Sequence, residues 1–112
     1  MLAEWPHRIR ALFISEEVTE CGVYGAWVCK NGERYPVVID DHIPVENGVP
    51  AFSQAHGPEL WVLILEKVWA KIHGSYERIE AGQAHLTMRD LTGAPSYEYI
   101  IKDHEDMFEM IL

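Results

Sequence analysis

The 112 residues carry a net charge of −9, from 18 acidic and 9 basic side chains. That balance argues against nucleic acid, whose phosphates call for a basic face, and against an anionic membrane surface. With 48% apolar residues and four tryptophans, the chain is too apolar for a disordered tail and long enough for one core.

Residues 4–14 predict a short helix. Pro6 suits its first turn, and Ile9, Leu12 and Phe13 repeat at helical spacing. Glu4, His7, Arg8 and Arg10 interrupt any signal-peptide pattern. No stretch reaches the roughly 18 apolar residues of a membrane span. The expectation is a cytoplasmic domain without a membrane span. Glu16, Glu17 and Glu20 then form an acidic loop.

Residues 22–40 predict a β-hairpin. Val23 to Cys29 and Tyr35 to Ile39 are rich in strand formers, and Asn31-Gly32 between them fits a two-residue type I′ turn. Pro36 has no N–H and should turn its nitrogen away from the partner strand. Residues 42–57 carry Pro44, Asn47, Gly48, Pro50 and Gly57, and predict a long ordered loop.

Residues 58–73 predict a long buried helix. Gly57 is the expected N-cap, Pro58 the first helical residue and Glu59 a first-turn carboxylate facing the helix dipole. Trp61, Leu65, Val68 and Ile72 form one stripe, which Leu60, Leu63 and Ile64 widen beyond an ordinary amphipathic face. Gly74 fits a left-handed C-cap. Further on, Gly82 and Thr92-Gly93-Ala94-Pro95 break the chain. Residues 97–101 predict a strand, and residues 103–112 an acidic helix start carrying Met107, Phe108, Ile111 and Leu112.

Chemistry is sparse. The sequence holds no Gly-rich phosphate loop, no paired CxxC and no HExxH. Cys21 and Cys29 are the only thiols. One strand carrying both would hold them roughly 26 Å apart, far beyond disulfide reach, so two free thiols are expected. Cys29 falls in mid-hairpin and reads as structural; Cys21 lies in an acidic run, a poor setting for a thiolate nucleophile. His7, His42, His56, His73, His85 and His104 are scattered without zinc-ligand spacing, and His56 and His85 flank loops that could line a cleft. Asp40, Asp41, Glu46, Glu59 and Glu80 are acidic groups near loops, with no EF-hand among them.

Several stretches in order carry a family resemblance. They are Gly22-Val23-Tyr24, Lys30-Asn31-Gly32-Glu33, and Val37-Val38-Ile39-Asp40-Asp41-His42-Ile43-Pro44. Then come Phe52-Ser53-Gln54-Ala55-His56-Gly57-Pro58-Glu59-Leu60-Trp61 and Leu65-Glu66-Lys67-Val68-Trp69-Ala70-Lys71-Ile72-His73-Gly74-Ser75-Tyr76-Glu77. Last is Asp90-Leu91-Thr92-Gly93-Ala94-Pro95. Over about residues 2–100 this order resembles the middle of the calpain cysteine protease core, nearer in look to protist calpain-like proteases than to vertebrate ones. The resemblance implies an α+β fold, a fragment of a papain-like core with a β-hairpin near a long buried helix. Residues 1–93 would be the C-terminal part of the first lobe, and residues 94–112 the start of the second.

The same resemblance implies a part in a calcium-dependent intracellular endopeptidase acting on protein substrates. The family's catalytic Cys, His and Asn have no counterpart here, so the chain alone would be inactive and need complementing protease segments. Glu59 matches a carboxylate ligand of the first-lobe calcium site, and alone would hold calcium only weakly. Gly82 matches a glycine whose backbone pairs with substrate, although Glu80-Ala81 departs from the usual Ser-Gly before it. The alternatives are a non-catalytic calpain-like module that binds a partner, or a remnant with no function of its own.

Overall fold

Asn31 and Gly32 sit at φ of 53° and 79°. Both are left-handed, as a type I′ turn demands, and this turn fixes the register of the main sheet. In the computed structural model, which describes residues 4–54, 57 and 59–99, strand β1 (Val23–Lys30) pairs antiparallel with β2 (Glu33–Asp40) from Lys30↔Glu33 to Val23↔Asp40. The flanking pair of a two-residue turn is hydrogen-bonded, and the pattern alternates from there. Trp27↔Pro36 therefore falls on a non-bonded pair, with the Pro36 nitrogen directed away from β1. The outward groups of β1 are used on its other side: the Ile14 N–H donates to Gly25 O at 2.9 Å and the Trp27 N–H to Leu12 O at 2.6 Å.

That second pairing corrects the expected helix over residues 4–14. Helix α1 covers only Pro6–Arg10, with Pro6 in its first turn. Residues 12–14 instead lie along the free edge of β1, where their backbone groups find fixed partners that a short helix end would lack. Residues 42–57, expected as a loop, contain a miniature hairpin of β3 (Val45–Glu46) and β4 (Val49–Pro50). It is closed by Asn47-Gly48 at φ of 52° and 81°, the same geometry as Asn31-Gly32.

Helix α2 spans Trp61–His73 and ends on left-handed Gly74, whose N–H reaches Ala70 O. Its start differs from expectation. Leu60, not Gly57, precedes the first helical residue, and Glu59 stands before the first turn rather than in it; Pro58 and His56 lie outside the described residues. A short 3-10 turn at Glu77–Ile79 follows, then α3 at Ala84–Thr92, capped by left-handed Gly93. The predicted strand is not formed over residues 97–99, and residues 100–112, with the expected acidic helix, lie outside the described part.

The elements define an α+β chain with one core. Ala26 and Val28 of β1 and Val37 and Ile39 of β2 present one face of the hairpin. Ile64, Leu65 and Val68 of α2 close over them, joined by Leu12. Ala26, Val28 and Val68 are fully buried. Small and β-branched residues at these facing positions let the helix approach the sheet closely. Among the described residues, no helix is long and apolar enough to cross a membrane.

Candidate functional site

The two positions singled out by resemblance lie at different ends of the molecule. Glu59 is exposed just before α2, where its Oε2 accepts a hydrogen bond from Trp61 Nε1 at 3.3 Å. It lines a groove with Glu16, Glu17, Phe13 and Tyr24. Gly82 is exposed beyond the far end of α2, before α3, and a Cβ added there would touch nothing. Calcium takes six to eight oxygens. The sole group of three potential ligand side chains within mutual reach among the described residues is Asp40, Asp41 and His42, and Glu59 is not part of it. Among the described residues, Glu59 therefore stands outside the one cluster that could gather several ligand atoms.

The Asp40-Asp41-His42 corner already holds a cation of its own. Lys67 of α2 donates its ammonium to Asp40 Oδ1 and to the His42 carbonyl. One residue earlier on the helix, Glu66 accepts from both the N–H and the hydroxyl of Ser53. One turn later, Lys71 donates to Val38 O. The Leu65-Glu66-Lys67…Lys71 segment is thus a row of clamps: its apolar members enter the core while its charged members fasten the loop and β2 to the same helix. Phe52 stacked on Tyr76 at 4.8 Å closes the loop from the other side.

Hydrogen bonds from Lys67 and from the His42 N–H hold the Asp40 carboxyl below its ordinary value of 3.8. A depressed folded-state value contributes stability above the unfolded value, lost as pH falls through the folded one. Lys67→Met is expected to lower the melting temperature at pH 7. Its deficit against the parent should shrink as the pH drops below about 4, because protonated Asp40 no longer rewards the lysine. A series of melts followed by circular dichroism checks this.

The most buried polar group is Asp90, 1% exposed, in the last turns of α3. Lys30, which ends β1, donates to its Oδ2 at 2.7 Å, and Arg89 Nε to its Oδ1 at 3.0 Å. Burial raises the Asp90 carboxyl, but the two hydrogen bonds and the neighbouring charges outweigh that and leave it lowered overall. The Lys30 ammonium also lies 5.8 Å from the Trp69 ring centre. One residue back on β1, Cys29 packs against the chain exit, with its Sγ 3.4 Å from where a Cβ on Gly93 would sit. Thr92 Oγ1 accepts from the Ala94 N–H at 3.2 Å. The Asp90-Leu91-Thr92-Gly93 segment is therefore locked to the turn end of the hairpin, and the direction in which the chain leaves is set by it. In the sequence Asp90 and Lys30 belong to separate motifs. Only the fold shows that they meet.

Cys29 and His85 both line a groove of about 920 Å³ beside this exit, walled also by Arg8, Arg34, Leu12 and Met88. No hydrogen bond joins the thiol to the imidazole, and Cys29 and Cys21 are both free. Cys21, exposed in the turn before β1, stands off the strand that carries Cys29. The groove accordingly contains a thiol and an imidazole without the contact that would let one activate the other.

The whole chain, residues 1–112, matches the family model described as calpain family cysteine protease. It is 41% identical over 105 residues to the calpain-type cysteine protease DEK1 of Arabidopsis thaliana, covering 92% of this chain and 5% of that protein. A match of the same identity and extent is found in the calpain-type cysteine protease ADL1 of Oryza sativa subsp. japonica. The human calpain-1 catalytic subunit is 34% identical over 93 residues, covering 81% of this chain and 13% of that subunit. The chain belongs to the calpain family of cysteine proteases. It spans about a twentieth of the length of its plant relatives.

Proposed function

We propose that this chain is a scaffold stretch of a calpain-type protease core, with residues 1–93 in the first lobe of a papain-like arrangement and residues 94–112 opening the second. In this reading it contributes structure to a calcium-dependent endopeptidase acting on proteins, and it does not cleave peptides alone. The observation that carries the reading is the whole-chain match to the calpain family model, beside two free thiols that make no hydrogen bond to an imidazole among the described residues. Glu59 lends one carboxylate to a calcium site completed by ligands from other segments. Gly82, with open space where a Cβ would be, leaves room for a substrate backbone to approach.

The test is a peptide-cleavage assay paired with calcium calorimetry on the 112-residue chain. No turnover is expected with or without calcium, and none should depend on Cys21 or Cys29. Calcium binding should be millimolar or weaker, since one carboxylate supplies few of the required oxygens, and Glu59→Gln should abolish what there is. Cleavage that disappears in Cys29→Ser would overturn the scaffold reading. Binding that survives Glu59→Gln would overturn the ligand assignment alone.

A further inference from the structure

The chain contains two Asn-Gly pairs, Asn31-Gly32 and Asn47-Gly48. Asparagine is chemically labile, most of all where the next residue has no side chain to hinder its nitrogen. The reaction needs only water. The glycine nitrogen gives its proton to solvent and bonds to the asparagine Cγ. The carboxamide C–N bond breaks, and ammonia leaves with a proton taken back from solvent. Water then adds to either carbonyl of the cyclic imide and opens it to aspartate or isoaspartate.

The two pairs form turns of one geometry. The φ angles are 53° and 79° at Asn31 and Gly32, and 52° and 81° at Asn47 and Gly48. All four residues are exposed, and nothing lies within 4 Å of where a Cβ on either glycine would sit. Access and turn type are therefore equal. A closed turn fixes the dihedrals that ring closure must change, so each site reacts only when its turn opens.

The ladders behind the turns differ. Asn31-Gly32 closes two strands of 8 residues each, and Ala26, Val28, Val37 and Ile39 anchor them in the core. Its flanks are pinned too, Lys30 to Asp90 and Arg34 to the Ala11 carbonyl. Asn47-Gly48 closes two strands of 2 residues each. Glu46 and Val49 beside it are exposed. Beyond them, one backbone hydrogen bond from the Ala51 N–H to Pro44 O at 2.9 Å completes the closure. A two-stranded hairpin without a core of its own is marginal in water.

We infer that Asn47-Gly48 is a deamidation site of the folded chain, while the β1–β2 ladder protects Asn31-Gly32. The product carries a new carboxylate beside Glu46, in a chain already at a net charge of −9. Where isoaspartate forms, the backbone gains a methylene at residue 47, and the short pairing of β3 with β4 has no slack to absorb it. Lys67 on the His42 carbonyl and Glu66 on Ser53 fasten the loop on either side, so the change stays between these clamps. The inference goes beyond the proposed function and holds whether or not the chain serves a protease.

The experiment ages the 112-residue chain in mildly alkaline buffer, with and without unfolding urea, until the unfolded sample has lost half of its Asn47 amide. Peptide mapping by mass spectrometry reads the amide-to-acid mass gain at each asparagine. In the folded chain Asn47 should be lost about tenfold faster than Asn31 or more, as for sites that differ in local opening. In urea the two rates should come within about threefold of each other, since no ladder remains. Asn31 lost as fast as Asn47 in the folded chain would overturn the inference. So would a folded chain that keeps both amides, because the miniature hairpin would then protect as well as the long one. A preference for Asn47 that persists undiminished in urea would also overturn it, by placing the cause in the neighbouring residues instead of the fold.

Discussion

Asp90→Ala should destabilise the chain by about 3 kcal/mol, among the largest losses from removing any single side chain. The substitution leaves the Lys30 ammonium facing a pocket shaped for a carboxylate, and it removes the acceptor that Lys30 and Arg89 share. Lys30 is 31% exposed in its side chain, so water can reach it. That places the loss at the lower end of the range for a broken buried pair. Asp90→Asn keeps the volume and one acceptor and should cost about 1–2 kcal/mol. At roughly 4 °C per kcal/mol for a domain of this size, the alanine variant should melt about 12 °C below the parent. The sign with pH follows from the lowered carboxyl. The parent's advantage is present above the unfolded value of about 3.8 and declines as acid protonates Asp90, so the two proteins should converge below about pH 3. Equal melting temperatures at pH 7 would mean that the ion pair is not holding the exit segment.

Leu65→Ala should cost a similar amount, about 3 kcal/mol, through the cavity it opens between α2 and the hairpin. Leu65 is one of the side chains that close the core over Ala26, Val28, Val37 and Ile39. These facing residues are small or β-branched and cannot collapse far into the space. Leu60→Ala is the contrasting case. Leu60 is 47% exposed and precedes the helix, so its loss should stay below about 1 kcal/mol. Urea unfolding of both variants measures the difference directly. A domain of this length has roughly 5–10 kcal/mol in total, and the Leu65 variant should be visibly less stable while the Leu60 variant remains near the parent. Similar losses would place the helix stripe on the wrong face.

Much of the fold was legible because local chemistry and tertiary packing agree. Asn31-Gly32 sets the left-handed turn, and the strands beside it carry the right residues on the right face. Gly74 ends α2 as expected, since the left-handed position excludes a side chain at little cost only in glycine. The misses have physical causes too. Ile9, Leu12 and Phe13 recur at helical spacing, yet the open edge of β1 supplies backbone partners to residues 12–14, and pairing overrides the period. Asn47-Gly48 carries the same signal as Asn31-Gly32, but its strands are two residues each, too short to stand out among the surrounding prolines. Gly57-Pro58 reads as a helix start, whereas Trp61 is the first helical residue and its indole turns back to Glu59.

The site was less legible than the fold. The quoted motif residues Glu66, Lys67 and Lys71 proved to be fasteners, each reaching a partner that sequence distance conceals. The same holds for Lys30 and Asp90, 60 positions apart. A buried acid can be anticipated from sequence only if its counter-charge is known, and nothing in either motif names the other. The position of His85 beside a loop predicts that it lines a cleft, and it does line the groove with Cys29. The fold brings the two into one wall without joining them.

The direction of the Pro36 nitrogen bears on how this chain behaves at high concentration. The far side of β2 is the one long sheet margin left without a neighbouring strand among the described residues. There Pro36 offers no donor, and Lys71 already occupies the outward Val38 carbonyl. A second molecule adding itself strand to strand would meet a missing rung beside a blocked one, so the margin is a poor template for self-templated stacking and fibre growth.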